Sequence, residues 1–173
     1  MIRILRQIFS TGIVTEDVLG QEEANIKISG DRLEEVIKKR FRGSLAIRQV
    51  DAGSCNGCEL EIHALNNSIY NCERYGIHFT ASPRFADMLL VTGPVTRNME
   101  IALRRTYDAT PAPKLVVAVG DCGCNGGIFG ESYASIGGID KVIPVDAYIS
   151  GCPPTPAALL NGILKAIEGK ERS

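Results

Sequence analysis

The sequence contains no tryptophan, and aromatic residues make up only 6% of it. That is too few for the stacked platforms that grip single-stranded nucleic acid. Neither charge is in excess: 19 Lys and Arg stand against 20 Asp and Glu, for a net charge of −1. No basic surface therefore asks for nucleic acid as a partner. No apolar run approaches the ~20 residues that cross a bilayer. The opening Met1-Ile2-Arg3-Ile4-Leu5-Arg6 lacks the charged, apolar and small-residue order of a secretory leader, and no twin-arginine pair begins it. The expectation is a protein that stays in the cytoplasm. With only two histidines, no Ser-His-Asp or Cys-His arrangement is readable, and hydrolytic chemistry has no support. No internal repeat and no low-complexity segment occurs.

What is present is an ordinary globular chain of 173 residues, 45% of them hydrophobic, enough for one domain with a real core. It carries six cysteines. A reducing compartment disfavours disulfides, so metal binding is the leading use for clustered thiols.

Residues 1–44 read as an N-terminal extension. Ile2, Leu5, Ile8 and Phe9 share one side of a short helix, and a second helix is expected over Asp31–Phe41, capped by Asp31 and closed by a basic last turn. The basic run from Lys38 to Arg42 reads first as a solvated helix end, with contact to anionic lipid or a membrane subunit as the alternative. From residue 45 to 173 the pattern is strand, loop, helix, repeated. Apolar strands are expected at Leu45–Val50, Ile77–Thr80, Met88–Val91, Leu115–Val119 and Val142–Ile149, and helices at about 59–74, 98–108 and 156–168. Strands without strict alternation, separated by helices, predict a mainly parallel, doubly wound α/β sheet covered on both faces. Ligands of such sheets sit beyond the carboxyl ends of the strands.

The cysteines fall there. Cys55 and Cys58 follow the first strand, Cys122 the fourth and Cys152 the fifth, with spacing C-x2-C-x63-C-x29-C. The C-x-x-C of Gly53-Ser54-Cys55-Asn56-Gly57-Cys58 also suits zinc or a redox dithiol. One pair plus two isolated cysteines, spread over a whole α/β domain, fits an embedded 4Fe-4S cubane better than a structural zinc site. Zinc remains the alternative, as a stapled interaction module without electron transfer. Gly120-Asp121-Cys122-Gly123-Cys124-Asn125-Gly126-Gly127 is glycine-rich but has no Walker lysine, which argues against a nucleotide. Cys124 could replace Cys122 as third ligand. Cys72, expected within a helix, reads as a core thiol, and His63 and His78 read as structural.

Several ordered motifs carry a resemblance. Ser54-Cys55-Asn56-Gly57-Cys58-Glu59, Ser82-Pro83-Arg84-Phe85-Ala86-Asp87, Thr92-Gly93-Pro94-Val95-Thr96, Gly120-Asp121-Cys122 and Gly151-Cys152-Pro153-Pro154 resemble the small subunits of membrane-bound, energy-converting nickel–iron (NiFe) hydrogenases of the Ech and formate-hydrogenlyase types. The likeness spans about residues 45 to 168. It implies a flavodoxin-like fold and one proximal 4Fe-4S cluster on Cys55, Cys58, Cys122 and Cys152. The further clusters that uptake-hydrogenase small subunits carry in a C-terminal part are not expected. It implies an electron-transfer subunit that is not catalytic alone, at the cytoplasmic side of the membrane. Its partners would be a large subunit holding the NiFe site, a ferredoxin-like iron–sulfur subunit and integral membrane subunits. The reaction implied is hydrogen evolution from reduced ferredoxin, coupled to ion movement. Arg84 is implied to lie near the large subunit and the cluster, its plainer reading being an interface ion pair, and Glu59 is implied in proton movement. The homologous terminal-cluster subunit of complex I is expected to have adjacent cysteines where this chain has Cys55-Asn56-Gly57-Cys58. That departure favours hydrogenase and leaves open an equivalent subunit of a quinone- or sulfur-reducing complex.

Overall fold

Strands that are apolar on both faces need cover on both, and the chain supplies it. The computed structural model describes residues 19–169, together with Ile4, Arg6 and Ser10. The short helix expected to carry Ile2, Leu5, Ile8 and Phe9 lies outside the described residues. Five parallel strands form the sheet: β1 (Leu45–Asp51), β2 (Ile77–Phe79), β3 (Met88–Thr92), β5 (Leu115–Val119) and β7 (Ala147–Ile149). Their order is β2-β1-β3-β5-β7, the 2-1-3-4-5 order of a flavodoxin-like, doubly wound fold. The α/β class read from the sequence is the one observed.

Alternate residues of the central strands feed two cores. Met88 and Leu90 of β3, with Leu115, Val117 and Val119 of β5, face α1 (Leu19–Phe41), α2 (Gly57–Ala64) and α5 (Pro156–Gly169). Leu89, Val91, Val116 and Ala118 face the other way, against Leu103 of α3 (Arg97–Ala109) and Ile139. All these side chains are essentially inaccessible. Each large one removed from water contributes roughly 1.5–3 kcal/mol to the folded state. At the amino ends of the strands, two aspartates lace neighbours together. Asp87 Oδ2 accepts from Ala46 N at 3.0 Å, and Asp146 Oδ2 from Val116 N at 2.8 Å.

Four expectations change. The helix expected from Asp31 begins at Leu19, so Asp31 is interior to α1 and caps nothing. Within it, Leu33 and Ile37 belong to the main core, Arg40 donates to Ile167 O, and Arg32 pairs with Glu168 at 2.7 Å, so α1 is tied to α5. The helix expected over 59–74 stops at Ala64, because Asn67 Oδ1 accepts from both Ile69 N and Tyr70 N and turns the chain. Cys72 consequently opens a 3-10 turn (Cys72–Tyr75), although it is fully buried as a core thiol. The strand expected over Val142–Ile149 shrinks to three residues, since Pro144 has no N–H for a ladder. An antiparallel pair, β4 (Val95–Thr96) with β6 (Ser135–Gly137), and a short α4 (Gly120–Asn125) come in addition.

Candidate metal centre

Three loops meet above the carboxyl edge of the sheet. β1 ends at Asp51, whose Oδ1 accepts from Gly53 N at 2.7 Å and Ser54 N at 2.8 Å. This turn swings the chain over the sheet, and Ser54 Oγ then accepts from Asn56 N at 3.1 Å. Asn56 takes a left-handed conformation and α2 begins one residue later. Cys58 is thereby buried in its first turn while Cys55 stays exposed ahead of it. From β5 the chain passes through Gly120 at φ +80° into α4. A β-carbon on Gly120 would stand 2.6 Å from Cys58 Sγ, so only glycine lets the second loop close on the first. Gly127, at φ +53°, shelters Cys122 in the same way: its β-carbon would lie 2.8 Å from Cys122 Sγ. The third loop leaves β7 through Gly151 to the exposed Cys152, and Thr155 Oγ1 caps α5 by accepting from Ala158 N.

The thiols act on one another electrostatically. Burial pushes Cys58 up to about 12, and the neighbouring Glu59, Cys55, Cys122 and Cys152 push in the same direction. Cys122 is raised by burial, then by Cys152, Cys55 and Asp121. Cys55, Cys122 and Cys152, carried by the three loops, all act on Cys58. Among the described residues, no three His, Cys, Asp or Glu side chains converge as a single ion would need. A cubane with one thiolate on each of four irons asks for a wider ring. Cys124 points elsewhere. Its Sγ lies 3.7 Å from Ile149 O, and burial, Asp121 and Asp140 raise it without any thiol among the causes. Cys72 is remote, with its Sγ 3.1 Å from Asn66 Oδ1.

Glu59 is brought to the site. The Glu59 carboxyl is buried beside Cys58, accepts from Thr92 Oγ1 at the carboxyl end of β3, and keeps Oε2 without a hydrogen-bond partner. Arg84 sits in a 3-10 turn (Pro83–Phe85) in the connection between β2 and β3. His63 is exposed and lines a cavity of about 240 Å3 with Arg48, Ile62 and Phe79, none of the four cysteines being in its walls. His78 Nδ1 lies 3.1 Å from Ser44 Oγ. Close to the cysteines in sequence, the apolar Leu60, Ile128 and Phe129 are 64%, 90% and 50% exposed.

Two residues escaped the sequence reading as contributors. Thr92 and Asp121 stood in quoted motifs without roles. Their partners, Glu59 and Gly151, are 33 and 30 residues away, so no local pattern links them.

Such a fold, with a cysteine-bearing loop after three of its strands, marks a doubly wound protein whose thiols stand where the ligands of such sheets bind. The family described as NADH ubiquinone oxidoreductase, 20 Kd subunit, matches residues 55–166, and the chain belongs to it. Formate hydrogenlyase subunit 7 of Escherichia coli (strain K12) is 48% identical over 129 residues, covering 75% of this chain and 51% of that protein. The chain thus spans about half the length of that relative. A probable membrane-bound hydrogenase subunit of Pyrococcus furiosus is 46% identical over 119 residues, covering 69% of this chain and 71% of that one. Among solved structures, a chain of the membrane-bound sulfane sulfur reductase, an archaeal respiratory membrane complex, matches with a TM-score of 0.67. It is 40% identical, over 81% of this chain and 75% of that one. No helix among the described residues is long and apolar enough to cross a membrane.

Proposed function

We propose that the chain is the electron-transfer small subunit of a membrane-bound, energy-converting NiFe hydrogenase, holding one 4Fe-4S cluster on Cys55, Cys58, Cys122 and Cys152. The coarser statement, a subunit of an oxidoreductase complex, follows from the family and its relatives. The observation that supports the finer one is that Cys55, Cys122 and Cys152 all act on Cys58, with the four cysteines carried by three strand-end loops. The donor set fits the group. Burial and the neighbouring thiols raise Cys58 and Cys122, whereas bound iron makes a coordinating thiol ionise outright. When bound, such a cluster supplies a one-electron donor and acceptor.

The chain's own residues then have defined work. Gly120 and Gly127 let the backbone approach the sulfurs, the core beneath Cys58 excludes water, and the apolar rim of Leu60, Ile128 and Phe129 offers a docking face. A large subunit bearing the nickel–iron site would seat there, with a ferredoxin-like subunit and integral membrane subunits completing the complex on the cytoplasmic side. Catalysis on hydrogen belongs to the large subunit. The likeness to the sulfane sulfur reductase supports a second reading, in which the same cluster subunit serves a partner without nickel.

The test is anaerobic purification of the chain with its partners. About four irons and four sulfides per chain, with hydrogen evolution from reduced ferredoxin and nickel in the large subunit, support the proposal. Zinc without sulfide overturns the cluster. An active complex without nickel selects the sulfur- or quinone-reducing reading.

A further inference from the structure

We infer that Asp121 is a positioning residue that clamps the Cys122 loop to the Cys152 loop and, through its fixed charge, lowers the midpoint potential of the cluster. The inference rests on the cluster assignment proposed above. Asp121 directly precedes Cys122, and Gly151 directly precedes Cys152. Between them run two hydrogen bonds: Asp121 N donates to Gly151 O at 2.9 Å, and Asp121 Oδ1 accepts from Gly151 N at 2.8 Å. Both backbone polar groups of Gly151 are therefore held by one residue. The pair closes a small ring across the ends of β5 and β7, and the residue next to each proposed ligand lies inside it. Without the carboxylate, Gly151 would keep a single tie and the Cys152 loop could pivot about it.

The same carboxylate brings charge. It is felt at the sulfur of Cys122 and at that of Cys124, on either side of Gly123. Glu59 adds a second acid beside Cys58. A carboxylate held next to a proposed ligand disfavours adding an electron to a nearby centre. Such a site suits a carrier that passes electrons on at low potential. The tuning rests on a residue that holds the loops together, so charge and geometry are separable by substitution.

Asp121→Asn keeps a side-chain oxygen for Gly151 N and removes the charge, and Asp121→Ala removes both. The complex is purified intact with each variant, iron and sulfide are counted, and the midpoint potential is read by an EPR-monitored redox titration. Expected for Asp121→Asn is a full cluster with its potential shifted upward, beyond the spread of replicate titrations. Expected for Asp121→Ala is substoichiometric iron. Glu131→Gln, which alters an exposed carboxylate paired with Lys141, should leave the potential where it was. A full cluster at unchanged potential in Asp121→Asn overturns the charge effect, as does cluster loss in that variant. Full iron in Asp121→Ala overturns the clamp. Absence of iron and sulfide in the wild-type complex overturns the cluster assignment itself, and is seen before any variant is made.

Discussion

The hydroxyl of Thr92, at the end of β3, donates to the carboxylate of Glu59, which is 5% exposed in the first turn of α2. The bond ties the helix bearing Cys58 to the central strand of the sheet. Thr92→Val keeps the shape and deletes the donor, leaving a buried carboxylate whose other oxygen already has no partner. Such a loss costs about 1–3 kcal/mol, more when the group is charged. Each kcal/mol is worth about 2–4 °C of Tm in a chain of this size. The double variant Thr92→Val/Glu59→Leu should recover most of the loss, because an apolar pair of similar shape needs no donor. Thermal unfolding of the four proteins checks this, and a silent Thr92→Val would show that the bond contributes nothing.

Much of this architecture was legible in the sequence for a simple reason. Strands such as Leu115–Val119 are buried on both faces, and such strands read as unbroken apolar runs. Their carboxyl ends then placed Cys55, Cys58, Cys122 and Cys152 before any coordinates. What stayed illegible depended on tertiary contact. The β4–β6 pair joins two- and three-residue segments far apart in sequence, Val95–Thr96 with Ser135–Gly137, too short to show a period. The premature end of α2 turns on one side chain, Asn67, whose effect on Ile69 and Tyr70 overrode apolar spacing beyond it.

Cysteine replacement should split the six thiols four to two. Serine at Cys55, Cys58, Cys122 or Cys152 is expected to lower iron and sulfide well below the wild-type content and to abolish electron transfer in the complex. Cys124→Ser and Cys72→Ser should retain both, since Cys124 faces Ile149 O and Cys72 faces Asn66. Iron retained in Cys122→Ser but lost in Cys124→Ser would reassign the third ligand.

Residues 1–44 read in sequence as an extension, yet Leu33 and Ile37 share the core with Leu45, Ile62 and Leu160. Truncation of a buried Leu or Ile to Ala typically costs 2–5 kcal/mol. Leu33→Ala and Ile37→Ala are each expected to lower the urea midpoint by a corresponding amount. Deletion of residues 1–40 should prevent independent folding, because it strips both side chains and the Arg40 bond to Ile167. A truncated chain with the full-length midpoint would restore the extension to a peripheral role.

Gly120 offers the sharpest test of how the loops close. Two separate penalties attach to Gly120→Ala. One is backbone strain at φ +80°, of order 1–2 kcal/mol for a residue with a side chain. The other is the new methyl group, 2.6 Å from Cys58 Sγ, a separation at which one loop must move. Gly43 separates them. It sits at φ +95° with nothing within 4 Å of its would-be β-carbon, so Gly43→Ala carries strain without a clash. Both variants should lose Tm by similar increments from strain, and Gly120→Ala by more. Only Gly120→Ala should lose iron, because only there does the added carbon push on a proposed ligand. The measurement is iron and sulfide per chain after anaerobic reconstitution, set beside Tm for each variant. Full cluster content in Gly120→Ala would mean that Cys58 can move aside at no expense to binding, and the tight closure of the first two loops would not be what forms the site.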